Sequence, residues 1–270
     1  MDRISVSQIA WNRDDESAAL NLLRNLNIKN VEVAPGILFE DPSTASTNQI
    51  KQVRDVWEER GFLLRSMQGL MFGKRYLQLF GDTRVQFIEY LSSIIRLAGG
   101  LGVGPMVFGC PRNRSYASTY SRDKCVDIFR KLGNVARQNK TYFCIEPNAR
   151  EYNTNFINSV DEAIDLVEEV DHPHFKMILD TSTIILNEGD ILDSIERASE
   201  YFAHFHISAP MLVPISELQI EHKRIAQQLN EVGYKGLVSV EMAANKNTDG
   251  IDGLERCLKP IVDIYGGTLK

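Results

Sequence analysis

The sequence predicts a closed (β/α)8 TIM barrel that takes up residues 1–270 as one domain. Eight short apolar runs start 26 to 41 residues apart, the length of a βα unit. Helical periodicity fills the segments between them. No G-x-G-x-x-G or P-loop sequence occurs, which removes the main open-sheet alternatives. The composition shows no linker or low-complexity break, and a chain of this length suits one barrel.

The first strand is predicted at residues 4–9. A helix over 15–26 follows, because Ala18, Leu20, Leu22, Leu23 and Leu26 recur at mostly helical spacing. Strands at 30–33 and 63–67 flank a helix at 50–60. A helix at 82–97 leads to a strand at 104–108, and one at 121–139 leads to a strand at 141–145. Ser159 and Glu162 read as a capping box opening a helix over 161–170. The last three strands are placed at 175–179, 201–207 and 236–240. Gly102, Gly233 and Gly236 stand where helices should stop.

Formal charge is −6 with a pI near 5.5. Such a surface repels phosphate backbones, so no nucleic-acid partner is expected. The four cysteines form no C-x-x-C pair, which suggests reduced thiols and a cytoplasmic protein. The segment MDRISVSQIAWNRDD lacks the apolar core of a signal peptide. No uninterrupted apolar run is long enough to span a bilayer, so no membrane association is expected.

Barrel catalysis takes place at the C-terminal ends of the strands. The fifth apolar run, TYFCIE, ends on Glu146; the sixth, FKMILD, on Asp180. The seventh, YFAHFH, delivers His206, and the eighth, GLVSVE, ends on Glu241. A single carboxylate after a strand is commonly a helix cap or an ion-pair partner. Four such groups at one rim need a shared cation or proton. Three carboxylates and an imidazole suit one divalent ion of Mn, Mg, Co or Zn, with positions open for substrate oxygens.

Several other residues are candidates at the same rim. Glu32 nears the end of the second strand and could orient substrate or a ligand. Gln68 ends the third and offers a neutral hydrogen-bonding group. Arg112 and Arg114 follow the fourth and suit a phosphate or carboxylate, or an exposed loop. Asn148 could reach substrate, and Trp11 could line the pocket. His204 shares a strand face with His206 and serves either the core or the substrate. His172 and His174 fall at the opposite end of the barrel. The aromatic stretch at 69–82 reads as a lid or as a homo-oligomer contact. Gly109 is expected to permit a tight turn.

The segments IEPNAREYNTNF, MILDTS, HFHIS and GYKGLVSVEM, with Glu–Asp–His–Glu spacings of 34, 26 and 35 residues, resemble the sugar phosphate isomerase/epimerase group of xylose isomerase-like barrels. That group includes ketose 3-epimerases and inositol-catabolic enzymes. The resemblance spans essentially the whole chain and implies a small-molecule carbohydrate substrate. It carries the family's four metal ligands onto Glu146, Asp180, His206 and Glu241. It also implies proton removal beside a carbonyl to give an enediolate, with Glu146 and Glu241 as the acid/base pair. Three positions depart from the ketose 3-epimerases. Tyr152 stands for their Glu, Thr183 for their His and Leu212 for their Arg, so the sugar is a different one. A keto-sugar or keto-inositol dehydratase, or a barrel that binds without turnover, fits the same scaffold. A nuclease of the endonuclease IV branch does not, because no histidine precedes His172.

Overall fold

A computed structural model describes residues 3–116, 122–187 and 189–269. Eight parallel strands close in sequence order into a barrel. They are β1 (Ile4–Ser7), β2 (Asn30–Val33), β3 (Leu63–Met67), β4 (Pro105–Phe108), β5 (Tyr142–Ile145), β6 (Phe175–Asp180), β7 (Phe202–Ser208) and β8 (Val238–Glu241). The circle closes where β1 pairs with β8, Val6 opposite Val240.

Ten helices lie among the described residues: α1 (Glu16–Asn25), α2 (Pro35–Leu38), α3 (Thr47–Glu59), α4 (Arg84–Leu101), α5 (Arg122–Gln138), α6 (Val160–Val170), α7 (Thr181–Leu186), α8 (Ile191–Arg197), α9 (His222–Glu231) and α10 (Gly250–Thr268). The five predicted helices recur with shifted ends; Ser121 lies outside the described residues. Apolar periodicity fades before a helix does, and caps set the ends. Ser46 caps α3 through a full capping box with Gln49, so α3 starts three residues before 50. At α6 the box is half formed. Ser159 Oγ accepts from Glu162 N, while the Glu162 carboxylate accepts from Asn158 N. Gly102 closes α4 with φ of 80°. The first strand is shorter than predicted, because Ser7 caps a 3-10 turn at Gln8–Ala10.

Strand alternation divides the side chains into two layers. Ile4, Val6, Val31, Val33, Phe143, Phe175, Phe205 and Val240 join the main core against the helices. The alternate positions face the barrel axis. Val107, Cys144 and Ile178 form a small separate apolar cluster there. Ser5, Ser7, Glu32, Ser66, His204, His206 and Ser239, all fully buried, make the rest of the interior polar. The barrel is therefore apolar inside on the β4–β6 side and polar on the side of β1–β3, β7 and β8. Cys110, Cys125, Cys144 and Cys257 are free thiols. Among the described residues no helix is long and apolar enough to cross a membrane.

Candidate metal centre

Register places the donors. Asp180 pairs with His206 across β6 and β7, and Ser208 pairs with Glu241 across β7 and β8. Glu146 stands one residue past β5. One donor atom from each of Glu146, Asp180, His206 and Glu241 lies within 4.8 Å of all the others. His206 Nδ1 is 3.6 Å from Glu146 Oε1, 3.9 Å from Asp180 Oδ2 and 3.3 Å from Glu241 Oε2.

The other face of the His206 ring meets Glu32, with Nε2 at 3.1 Å from Oε1 and 3.2 Å from Oε2. His204 Nε2 reaches the same carboxylate at 2.7 Å. A register shift between Val31 and Glu32 accompanies this placement. Burial works to raise the Glu32 pKa, but the two imidazoles overcome it and hold the carboxyl well below its usual range. An ionised Glu32 accepts Nε2–H from His206 and leaves the Nδ1 lone pair aimed at three carboxylates. Nδ1 has no hydrogen-bond partner among the described residues. A lone pair facing three anionic groups is stable only with a cation between them.

A proton is one such cation. Burial lowers the His206 pKa, but Glu32, Glu241 and Glu146 together lift it well above its ordinary value. Asp180 is raised to about 7 by burial and then by the charges of Glu146 and Glu241. Burial likewise raises Glu241. A divalent ion is the other cation, and this donor set fits one. The two compete, so metal binding expels protons.

Groups with raised folded pKa values stabilise the metal-free protein fully below their unfolded values and lose that contribution as pH rises through the folded ones. Asp180, Glu241 and His206 are all of this kind. Glu32 has the opposite sign, but its loss falls far below neutrality. His172, His204 and His222, lowered first by burial, also have the opposite sign and act near pH 6.5, with and without metal alike. The contribution of Asp180, Glu241 and His206 to metal-free stability is expected to fall from pH 6 to pH 8. The increment on adding Mn²⁺ grows over the same range, with affinity rising roughly tenfold per pH unit for each proton displaced. Thermal scans with and without Mn²⁺ check this; a pH-independent increment contradicts it.

Neighbouring groups fix two of the three carboxylates. Asp180 Oδ1 accepts from Thr183 N at 2.8 Å, capping α7, and Oδ2 accepts from Ser208 Oγ at 2.8 Å. Asn148 Nδ2 donates to Glu146 Oε2 at 3.3 Å. Gly109 faces that carboxylate, and a Cβ there would overlap Glu146 Oε2. Its φ is not positive, so close approach rather than turn geometry requires the glycine.

The remaining sequence candidates separate. Gln68 and Arg112 line a cavity of about 960 Å³ that Glu146 also lines, the one of the four donors to do so. Gln68 also donates to Ser7 Oγ at 2.6 Å. Arg114, fully buried, instead donates to Glu146 O at 2.6 Å and Asn148 Oδ1 at 2.7 Å. It braces the loop after β5, and burial lowers its pKa to about 10. Asn148 thus spans Arg114 and Glu146. Glu32 and His204 are fully buried beneath His206 and do not line the cavity. Trp11 packs into the main core. His174 Nδ1 bonds Thr141 O at 2.7 Å at the other end of the barrel.

The three departures from the epimerase pattern are occupied by internal bonds or apolar surface. Tyr152 Oη sits 3.0 Å from Ser182 Oγ and accepts from Met211 N at 3.0 Å. Thr183 Oγ1 donates to Pro147 O at 3.0 Å. Leu212 lines the cavity. Met211 and Leu212 have successive φ values of 60° and 58°, a conformation costly for L residues. The Tyr152 bond and the bond from Ala243 N to Leu212 O at 2.9 Å hold this turn.

Comparison with known proteins agrees with this architecture. Two curated relatives are the D-psicose 3-epimerases of Ruminiclostridium cellulolyticum and Enterocloster bolteae. They are 29% identical over 119 residues and 27% over 120, in each case 44% of this chain and 40% of the relative. The match therefore spans about two fifths of their length. Among solved structures, D-psicose 3-epimerase with D-tagatose from Clostridium cellulolyticum has a TM-score of 0.81 at 19% identity, covering 99% of both chains. The E. coli 3-keto-D-glucoside 4-epimerase has 0.76 at 17%, covering 97% of this chain and 99% of that one. At these identities the structural likeness is one of fold. The family model for the xylose isomerase-like TIM barrel matches residues 18–260, a span that includes all four donors, and the chain belongs to that family.

Proposed function

We propose that the protein is a divalent-metal-dependent isomerase or epimerase of a sugar, sugar phosphate or polyol derivative. The observation that carries this reading is the placement of two carboxylates, Glu146 and Glu241, at 3.6 and 3.3 Å from the unpartnered His206 Nδ1. The similarity to D-psicose 3-epimerases supports it. Glu146, Asp180, His206 and Glu241 would hold one ion of Mn, Mg, Co or Zn. When bound, such an ion supplies Lewis acidity that makes a C–H beside a carbonyl more acidic.

The chain's own residues do the proton work. Glu146 and Glu241 come from β5 and β8 and flank the imidazole. One takes the proton from the carbon beside the carbonyl, and the resulting enediolate is reprotonated by the other. Return to the opposite face gives epimerisation, and return to the neighbouring carbon gives isomerisation. Loss of a β-hydroxyl from the same enediolate gives dehydration. Tyr152, Thr183 and Leu212, which replace the sugar contacts of the epimerases, point to a different substrate and so keep this second reading open. The free thiols fit work in the cytoplasm.

The test is incubation of Mn²⁺-loaded protein with ketoses, inososes and hexuronates in D₂O. NMR then reads deuterium at the carbon beside the carbonyl, and mass spectrometry reads loss of water. Exchange with retained mass is expected. Water loss selects the dehydratase, and absence of both across the set leaves a binding protein.

A further inference from the structure

We propose that the site takes a keto-sugar carrying a terminal oxyanion, a phosphate or a carboxylate, and that Arg75 and Arg112 receive that group above β3 and β4. This rests on the reading of the metal centre as a sugar site and adds the class of sugar.

The cavity over Glu146 does not extend evenly around the rim. Above β5–β7, Tyr152 and Ser182 are tied to each other, Thr183 is tied to backbone, and Leu212 offers only apolar surface. The cavity draws its lining mostly from the loops after β3 and β4, with Glu146 and Leu212 from those after β5 and β7. At about 960 Å³ it is near the top of the range of roughly 300–1,000 Å³ usual for small-molecule pockets. A free monosaccharide would leave much of it filled with water.

Arg75 and Arg112 stand on those two loops and both line the cavity. Neither guanidinium makes an ion pair or hydrogen bond among the described residues. Glu146 is the single carboxylate among the lining residues. In a chain of net charge −6 this is a local reversal of sign.

The two arginines are mounted on a common frame. Gln78 Nε2 donates to Arg75 O at 2.6 Å and to Arg112 O at 3.0 Å. Asn113 Nδ2 donates to Lys74 O and Leu77 O, at 2.9 and 2.7 Å, and Leu79 N returns a bond to Asn113 O at 2.8 Å. Each guanidinium is thereby carried by fixed backbone rather than by a free loop. Phosphate and carboxylate match the planar donor fork of arginine. Phe72 and Tyr76, 84% and 65% exposed, stand on the same loop and offer apolar rings to the carbon face of a sugar between Glu146 and the anion.

Isothermal titration of the Mn²⁺-loaded protein with D-fructose, D-fructose 6-phosphate and D-fructuronate tests this. The charged ketoses are expected to bind about 10- to 100-fold more tightly than fructose, the range for hydrogen bonds to a charged group. In the Arg75→Gln/Arg112→Gln variant that ratio collapses toward one. The tighter of the two charged ligands identifies the terminal group. Equal affinities, no binding of either charged ketose, or a preference that survives the double substitution overturns the proposal. Deuterium exchange on the same compounds separates the two readings. Preferential binding without exchange sinks the isomerase reading and keeps the anion subsite. Exchange with equal affinities does the reverse.

Discussion

Glutamine at position 146 or 241 is expected to lower proton exchange beside the substrate carbonyl by about 10²–10⁴-fold, the usual contribution of a positioned acid or base. Each substitution keeps volume and one oxygen donor but removes the proton acceptor. The surroundings of Glu146 favour a clean replacement. Gly109 leaves the side chain its space, while Arg114 and Asn148 fix the loop from below. The Asn148 amide that donates to Glu146 Oε2 can donate equally to a glutamine oxygen. Loss of a charged ligand also weakens metal binding, so exchange must be expressed per bound ion, with Mn²⁺ measured on each variant. An undiminished rate per ion would remove both residues from the chemistry.

Glu32 is expected to matter almost as much without touching the ion. It is fully buried, and both of its neighbours are imidazoles. Glu32→Ala leaves His204 and His206 without their acceptor. It should destabilise the fold by about 3–5 kcal/mol, as for other buried pairs that lose one member. Glu32→Gln keeps the shape and removes the charge that favours Nε2–H on His206. Metal affinity should fall about 10- to 100-fold, with a smaller loss of stability. Denaturant unfolding and Mn²⁺ titration of the two variants separate these effects. Normal affinity in Glu32→Gln would mean that the tautomer of His206 is set by something else.

The barrel and the convergence of the four candidate donors were legible in the sequence for the same reason. A buried parallel strand reads as an unbroken apolar run, and a polar residue closing such a run stands out. Asp180 shows that the ordinary and the functional readings need not exclude each other, since its carboxylate caps α7 while facing His206. What lay between distant segments was not legible. The partners of Glu32 lie more than 170 residues away, and no local pattern records that pairing. Arg112 and Arg114 are two residues apart in a loop without periodicity. One lines the cavity and the other is sealed beneath it, a difference set by Phe108, Glu146 and Asn148 rather than by neighbours in sequence. Arg75 stands in an aromatic stretch that suggests a lid, and the bonds from Gln78 and Asn113 bring it beside Arg112. Ser208 was missed because a serine ending a strand carries no signal until its hydroxyl is seen to donate to Asp180 Oδ2.

The frame made by Gln78 and Asn113 has a consequence for evolution. It joins the loops after β3 and β4 to each other, while every donor of the metal centre hangs from β5–β8. The proposed anion subsite and the four donors thus lie in separate halves of the chain, and Glu32 is the first-half residue that reaches His206. The loops after β3 and β4 can change while Glu32 and the four donors stay constant, so substrate preference can shift there without loss of the ion.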